Sequence, residues 1–216
     1  MTKIREPAVA GMFYPGEAGE LRTMIQAFMD CTPSQPGPAP KALIAPHAGY
    51  VYSGPVAASA YASLYPHRDQ YTRVVLLGPS HRVPVRNLAT SSADVFRTPL
   101  GDVPVDREAI AAVNMPEMAV LEAAHQLEHS LEVHLPFLQV VLGSFTLVPL
   151  VVGDATPDSV ARLLDRLWGG PETLIVVSSD LSHYLAYDEA VNRDRRTCEA
   201  IERLDESGIG YDDACG

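Results

Sequence analysis

Cysteine is scarce in this 216-residue chain, which has only Cys31, Cys198 and Cys215. They are widely spaced and form no Cys-x-x-Cys pair, which argues against a disulfide framework and a structural zinc finger. The starting expectation for each is a free thiol in a reducing compartment. Basic charge is also short: 16 Lys and Arg stand against 27 Asp and Glu, for a net charge of -11. An acidic chain without a basic stripe argues against nucleic-acid backbones and anionic membranes as partners. No apolar stretch reaches the ~20 residues needed to span a bilayer. The segment Met1-Thr2-Lys3-Ile4-Arg5-Glu6 holds no apolar signal region. A cytoplasmic location is the expectation. Nucleotide cradles are missing too, with no Gly-x-Gly-x-x-Gly after a strand and no Walker loop. Gly-x-Ser-x-Gly is absent, which removes the strongest signal for a serine hydrolase. No repeat recurs at a fixed period.

Hydrophobic residues, in contrast, make up 47% of the chain, and 20% are charged. That balance suits one globular domain over residues 1–216 with a substantial core. Residues 18–30 read as a helix with Leu21, Met24, Ile25 and Phe28 on one face. A proline-rich connector from Cys31 to Pro40 leads to a strand at 42–46. An alanine-rich helix from Gly54 to Leu64 and a strand at 73–78 follow. Arg82 to Asp106 reads as a pair of short strands with turns. Asp106 is placed to cap a helix at 107–113. The leucines of 127–142 predict a helix kinked or broken near Pro136. The run 145–152 predicts a strand, bent or edge-like at Pro149. A helix from Pro157 to Trp168, a strand at 173–178 and a helix from Asp188 to Leu204 complete the pattern. Strands alternating with helices predict an α/β fold, a central, mostly parallel or mixed sheet flanked by helices.

The chemistry lies at the ends of the apolar runs. Ala42-Leu43-Ile44-Ala45 is followed by Pro46-His47, and Val74-Val75-Leu76-Leu77-Gly78 by Pro79-Ser80-His81. Leu174-Ile175-Val176-Val177 runs into Ser178-Ser179-Asp180-Leu181-Ser182-His183. Ligands of open α/β sheets bind beyond the carboxyl ends of the strands, and imidazole is the commonest protein metal ligand. His67, beside Pro66 and Arg68, reads instead as an ordinary surface residue. The run Glu128-His129-Ser130-Leu131-Glu132-Val133-His134 puts two glutamates four apart, on one face of a helix. It is not His-Glu-x-x-His, and a plain solvated helix face explains its spacing as well. Tyr14 and Tyr50 fit an aromatic substrate pocket or core packing equally. The end at Ala214-Cys215-Gly216 would leave the thiol mobile.

Five ordered motifs carry a resemblance across the whole chain: residues 6–14, Pro46-His47-Ala48-Gly49-Tyr50, Gly78-Pro79-Ser80-His81, Glu128-His129-Ser130-Leu131-Glu132 and Ser178-Ser179-Asp180-Leu181-Ser182-His183. The chain resembles the Memo family, also named AmmeMemoRadiSam system protein B. That family is related to the class III extradiol ring-cleaving dioxygenases, which use non-haem Fe(II). The resemblance implies an extradiol-dioxygenase-like fold, with metal ligands at His47, His81 and Cys215. It implies catalytic roles for His183, Asp180, His129 and Glu132. His183 would be an acid/base oriented by Asp180, and His129 and Glu132 would support the ligands or touch substrate. Iron(II) or copper is the implied cofactor, with zinc possible on the same ligand types. Dioxygenase-like redox chemistry is the leading expectation. An adaptor that binds peptides, phosphotyrosine peptides among them, is one alternative, and a zinc hydrolase is another. Radical-SAM and AMMECR-like proteins are the implied protein partners. Family members continue beyond the Cys-Gly step, so the chain is expected to be shorter than the family at its C-terminal side.

Overall fold

The computed structural model describes residues 2–33 and 37–215. In chain order the elements begin with β1 (Ile4–Arg5), α1 (Ala18–Asp30), β2 (Ala42–Ala45) and α2 (Tyr50–Ala62). Next come β3 (Arg73–Pro79), β4 (Leu88–Thr90), β5 (Val95–Thr98), β6 (Gly101–Pro104) and α3 (Arg107–Val113). They are followed by β7 (Met118–Val120), α4 (Glu122–Gln126) and α5 (Leu135–Leu142). The last are β8 (Thr146–Val152), α6 (Pro157–Leu167), β9 (Thr173–Ser178) and α7 (Tyr187–Glu202). Part of the expected connector, residues 34–36, lies outside the described residues, as does Gly216.

Six strands form the main sheet in the order β2-β9-β3-β8-β4-β7. The run β2-β9-β3-β8 is parallel throughout, β4 is antiparallel to β8, and β7 is parallel to β4. A second sheet, β1-β5-β6, joins the N-terminal strand to the hairpin at 95–104. The α/β architecture is the one the alternation predicts, with apolar strands such as β3 and β8 buried along nearly their whole length. Helix α1 buries Leu21 and Ile25 against this core, with Met24 and Phe28 packed at its margin. A Cβ on Gly54 would come within 2.3 Å of the Phe28 ring, so the missing side chain lets α1 and α2 approach.

Three local expectations need correction. The 82–106 segment, expected as a pair of short strands, holds three, β4, β5 and β6. Pro149 does not mark an edge, because β8 lies between β3 and β4. Thr146 N–H donates to Thr72 O (2.9 Å) and Val152 O accepts from Ser80 N–H (3.2 Å), so even-numbered residues of β8 face β3. Pro149 turns its missing donor to the other side, in the gap between the bridge at Leu147 and the β4 pairing at Val151 and Val152. The helix expected over 127–142 is also broken, and well before Pro136. Helix α4 stops at Gln126, a 3-10 turn spans Glu132–His134, and Pro136 opens α5. The Glu128 carboxylate takes the N–H groups of His129 and Ser130, both at 3.0 Å. A side chain bonding its neighbours' backbone competes with the helical ladder.

Glu132, four residues on, therefore faces elsewhere. It pairs with Arg5 of β1, both side chains buried, and accepts Ala8 N–H (2.7 Å), Val9 N–H (3.0 Å) and the Tyr14 hydroxyl (2.5 Å). Burial and the Glu132 charge push the Tyr14 hydroxyl upward, so it remains a donor. Arg5 also donates to the carbonyls of His125 (3.0 Å) and Glu128 (2.6 Å). The N-terminal segment is thus clamped to the 125–132 turn. Replacing Glu132 by Ala leaves a buried, unpaired guanidinium. The expected cost is about 3–5 kcal/mol, read as a lower urea midpoint; an unchanged midpoint would refute the clamp.

Two core histidines make stability depend on pH. Burial holds His125 down to about 4 and His134 down to about 3, against an ordinary 6.5. The unfolded chain takes up protons below pH 6.5 while these native imidazoles stay neutral. Their contribution is complete above pH 6.5 and is lost as pH falls toward 4 and then 3. Urea midpoints should therefore decline between pH 6.5 and 5, before most carboxylates titrate; a flat profile there contradicts the neutral burial.

Candidate metal centre at the carboxyl end of the sheet

Adjacent strands β2, β9 and β3 end together, and each continues into a polar residue. Ala45 leads to His47, Pro79 to His81, and Ser178 to Asp180. The parallel register brings these ends to one side of the sheet. Gly78 completes the arrangement: a Cβ there would come within 2.9 Å of Leu131 Cδ2 and Ser130 Oγ. Its absence lets the 128–131 segment dock on the end of β3, where the Ser130 hydroxyl donates to Pro79 O (2.8 Å).

His47 is buried, at 2% exposure. Its Nδ1 lies 2.7 Å from Ser178 Oγ, and its backbone N–H donates to Asp180 Oδ1 at 2.8 Å. Burial pushes the imidazole down to about 4, against the opposing pull of Asp180 and with the help of His81 and His129. His81 is bound twice by Glu128, through Nδ1 to Oε1 (2.9 Å) and through its backbone N–H to Oε2 (2.6 Å). Hydrogen bonds with Cys215 and Glu128 push His81 up to about 10. Burial alone would raise the Glu128 carboxyl; the hydrogen bonds from His81 and Ser130 and the His81 charge overcome it and hold it at about 2.

His129 stacks on His81 with ring centroids 4.5 Å apart and packs 4.8 Å from Phe13. Burial lowers its pKa. Its Nδ1 is buried without a hydrogen-bond partner among the described residues. One ligand atom from each of His47, His81 and His129 lies within 4.8 Å of the other two, so this group could hold a metal ion. Cys215 approaches from the segment after α7. Its Sγ is 3.1 Å from His81 Nε2 and 3.5 Å from His47 Nε2. Its N–H donates to Asp180 O (2.9 Å), and its carbonyl accepts from Ser179 Oγ (3.0 Å), so the thiol is tethered. Imidazole nitrogens, one of them buried without a partner, and a thiol form a donor set that fits a transition-metal ion.

The remaining candidate residues divide. His183 is exposed on the wall of a cleft of about 990 Å³ that also reaches Ser80, His81, Tyr184, Tyr211 and Cys215. Asp180 contacts His47 rather than His183: its Oδ2 lies 3.7 Å from His47 Nε2. Glu132 sits in the N-terminal clamp, away from these groups. Tyr14 and Tyr50 are core residues whose hydroxyls donate to Glu132 and to Val133 O (2.6 Å). Glu128 and Ser178 are the partners that sequence reasoning passed over. Both stand inside the quoted motifs, but their bonds join residues 47 and 131 positions apart.

A family model described as Memo-like protein matches residues 5–212. A MEMO1 family protein of Methanopyrus kandleri is 40% identical over 228 residues, which cover 95% of this chain and 78% of that relative. A MEMO1 family protein of Aquifex aeolicus is 38% identical, covering 94% of this chain and 76% of its own length. One from Thermotoga maritima is 37% identical, covering 94% and 79%.

The grouping of imidazoles predicts a single zinc(II) equivalent per chain in competition with a chromophoric chelator. His47→Ala and His81→Ala should lose it, whereas His67→Ala, at a half-buried residue that hydrogen-bonds Gly37 O, should keep it. Equal binding by all four proteins would contradict the site.

Proposed function

The chain belongs to the Memo-like protein family, and from that premise we propose that it is a metal-dependent redox enzyme with dioxygenase-like chemistry. The observation that carries this reading is the approach of the Cys215 thiol to His47 Nε2 and His81 Nε2, beside a cleft whose wall includes His81 and Cys215. His47, His81 and Cys215 would hold iron(II) or copper, with His129 close enough to join them. Thiolate and imidazole suit these metals and zinc better than magnesium or calcium. The bound metal would supply the electron exchange with O2.

The chain's own residues have separate tasks in this reading. Asp180 and Ser178 hold His47 from opposite sides, one at its backbone and one at its ring. Glu128 holds His81 at both places. His183 stands on the cleft wall, where a ring nitrogen would take the proton of a phenolic hydroxyl and later return it. Leu185, Ile209 and the exposed rings of Tyr184 and Tyr211 would receive an aromatic substrate. The same exposed tyrosines favour a second reading, a binding module that takes a peptide or small molecule in this cleft without turnover.

Elemental analysis of protein purified without oxygen separates the readings. Near-stoichiometric iron or copper, lost in His81→Ala and Cys215→Ala, with O2 consumption on adding a catechol, is the expected result. His183→Gln should keep the metal and slow O2 uptake by ~10²–10⁴-fold. Zinc in place of iron or copper would turn the reading toward hydrolysis, and wild-type protein without metal would turn it toward binding alone.

A further inference from the structure

We infer that Ser178 and Glu128 are positioning residues that keep a proton on Nδ1 of His47 and of His81, so that Nε2 is the atom each ring offers to the site. The argument is one of donors and acceptors. The Ser178 hydroxyl has a single proton, and it is donated to the Ser130 carbonyl at 2.7 Å. A carbonyl can only accept. The Ser178 oxygen, 2.7 Å from His47 Nδ1, is then left with lone pairs alone on that side. It must accept, and Nδ1 must donate.

Glu128 reaches the same result for His81 by another route. Its Oε1 already accepts the backbone N–H groups of His129 and Ser130, and its Oε2 accepts that of His81. Backbone N–H groups cannot reverse their role, so the carboxylate is an acceptor throughout, and Nδ1 of His81 donates to it at 2.9 Å. In both rings the other nitrogen, Nε2, is the one directed at Cys215 Sγ. His129 is the contrast: its Nδ1 lies 3.4 Å from Glu128 Oε1 but makes no hydrogen bond among the described residues. Both devices converge on the 128–130 segment, which supplies the carboxylate for one ring and the Ser130 carbonyl for the other. Partners of this kind, behind ligand imidazoles, commonly change metal affinity ~10–100-fold when removed.

The purpose of this arrangement rests on the metal-centre reading, but the proton positions do not, so they are tested separately. Long-range ¹H–¹⁵N spectra of the histidine rings in metal-free protein should show Nδ1 protonated in both His47 and His81. Ser178→Ala should move the His47 proton to Nε2, leave His81 unchanged, and weaken zinc(II) binding ~10–100-fold in protein that is still folded at the assay temperature. Glu128→Gln, where it folds, should perturb His81 and spare His47; where it does not fold, Ser178→Ala and the wild-type spectra decide. A wild-type His47 protonated on Nε2, or a Ser178→Ala protein with unchanged ring protons, would overturn the inference. Nδ1 protonation in a wild-type protein that takes up no zinc, iron or copper would support the inference and sink the metal-centre reading instead.

Discussion

The buried carboxylate of Glu128 carries more of this structure than its place in the chain suggests. One anion with two oxygens accepts three backbone N–H groups and an imidazole N–H, from residues on both sides of the site. Burying a carboxylate is costly unless its hydrogen-bond capacity is filled, and here it is filled by groups that themselves need partners. The end of β3 would otherwise leave His81 N–H open, and the end of α4 would leave its following turn open. Satisfying both with one side chain fixes the distance between them. The site histidines are held because the backbone that carries them is held.

That economy depends on Arg5. Its guanidinium donates to the carbonyls of His125 and Glu128, the two ends of the turn that presents the carboxylate, and pairs with Glu132 just beyond. A planar fork of donors suits this bridging better than an ammonium would. The N-terminal strand is therefore part of the site's foundation although it is absent from its lining. Glu128 and Glu132, four residues apart, divide the work: one faces the histidines and the other faces the N-terminal segment. A regular helix would have put both on one face, which is why the helix has to stop at Gln126.

Much of the fold could be read from local pattern. The apolar runs at 73–79 and 173–178 and the helix at 157–167 emerge nearly at their expected limits, because strand and helix periodicity are properties of short windows. His47, His81 and Asp180 were legible for the same reason, each standing two residues beyond the end of a strand. The 127–142 helix was not, since the Glu128 carboxylate that takes the N–H groups of His129 and Ser130 is also bound by His81, 47 positions away. Pro149 misled in another way. Proline bars a strand only where its missing donor is needed, and that depends on which neighbour the residue faces. The strands β1 and β7, two and three residues long, are too short for any periodicity to mark.

The candidate ligands are not held alike, and the difference bears on what the centre can do. His47 and His81 are fixed at both backbone and ring, one beyond the edge strand β2 and the other beyond β3 in the interior of the sheet. Cys215 is fixed by its own backbone, through Asp180 O and Ser179 Oγ, and among the described residues its Sγ hydrogen-bonds only the two imidazoles. The imidazole pair is thus preorganised by the fold, whereas the thiol is positioned by a short bridge beside β9. Asp180 accepts the Cys215 N–H through its carbonyl and the His47 N–H through Oδ1, so it ties the thiol-bearing segment to the His47 backbone. Asp180 is in this sense the link between the rigid and the adjustable halves of the centre, a role that follows from its contacts and needs no contact with His183.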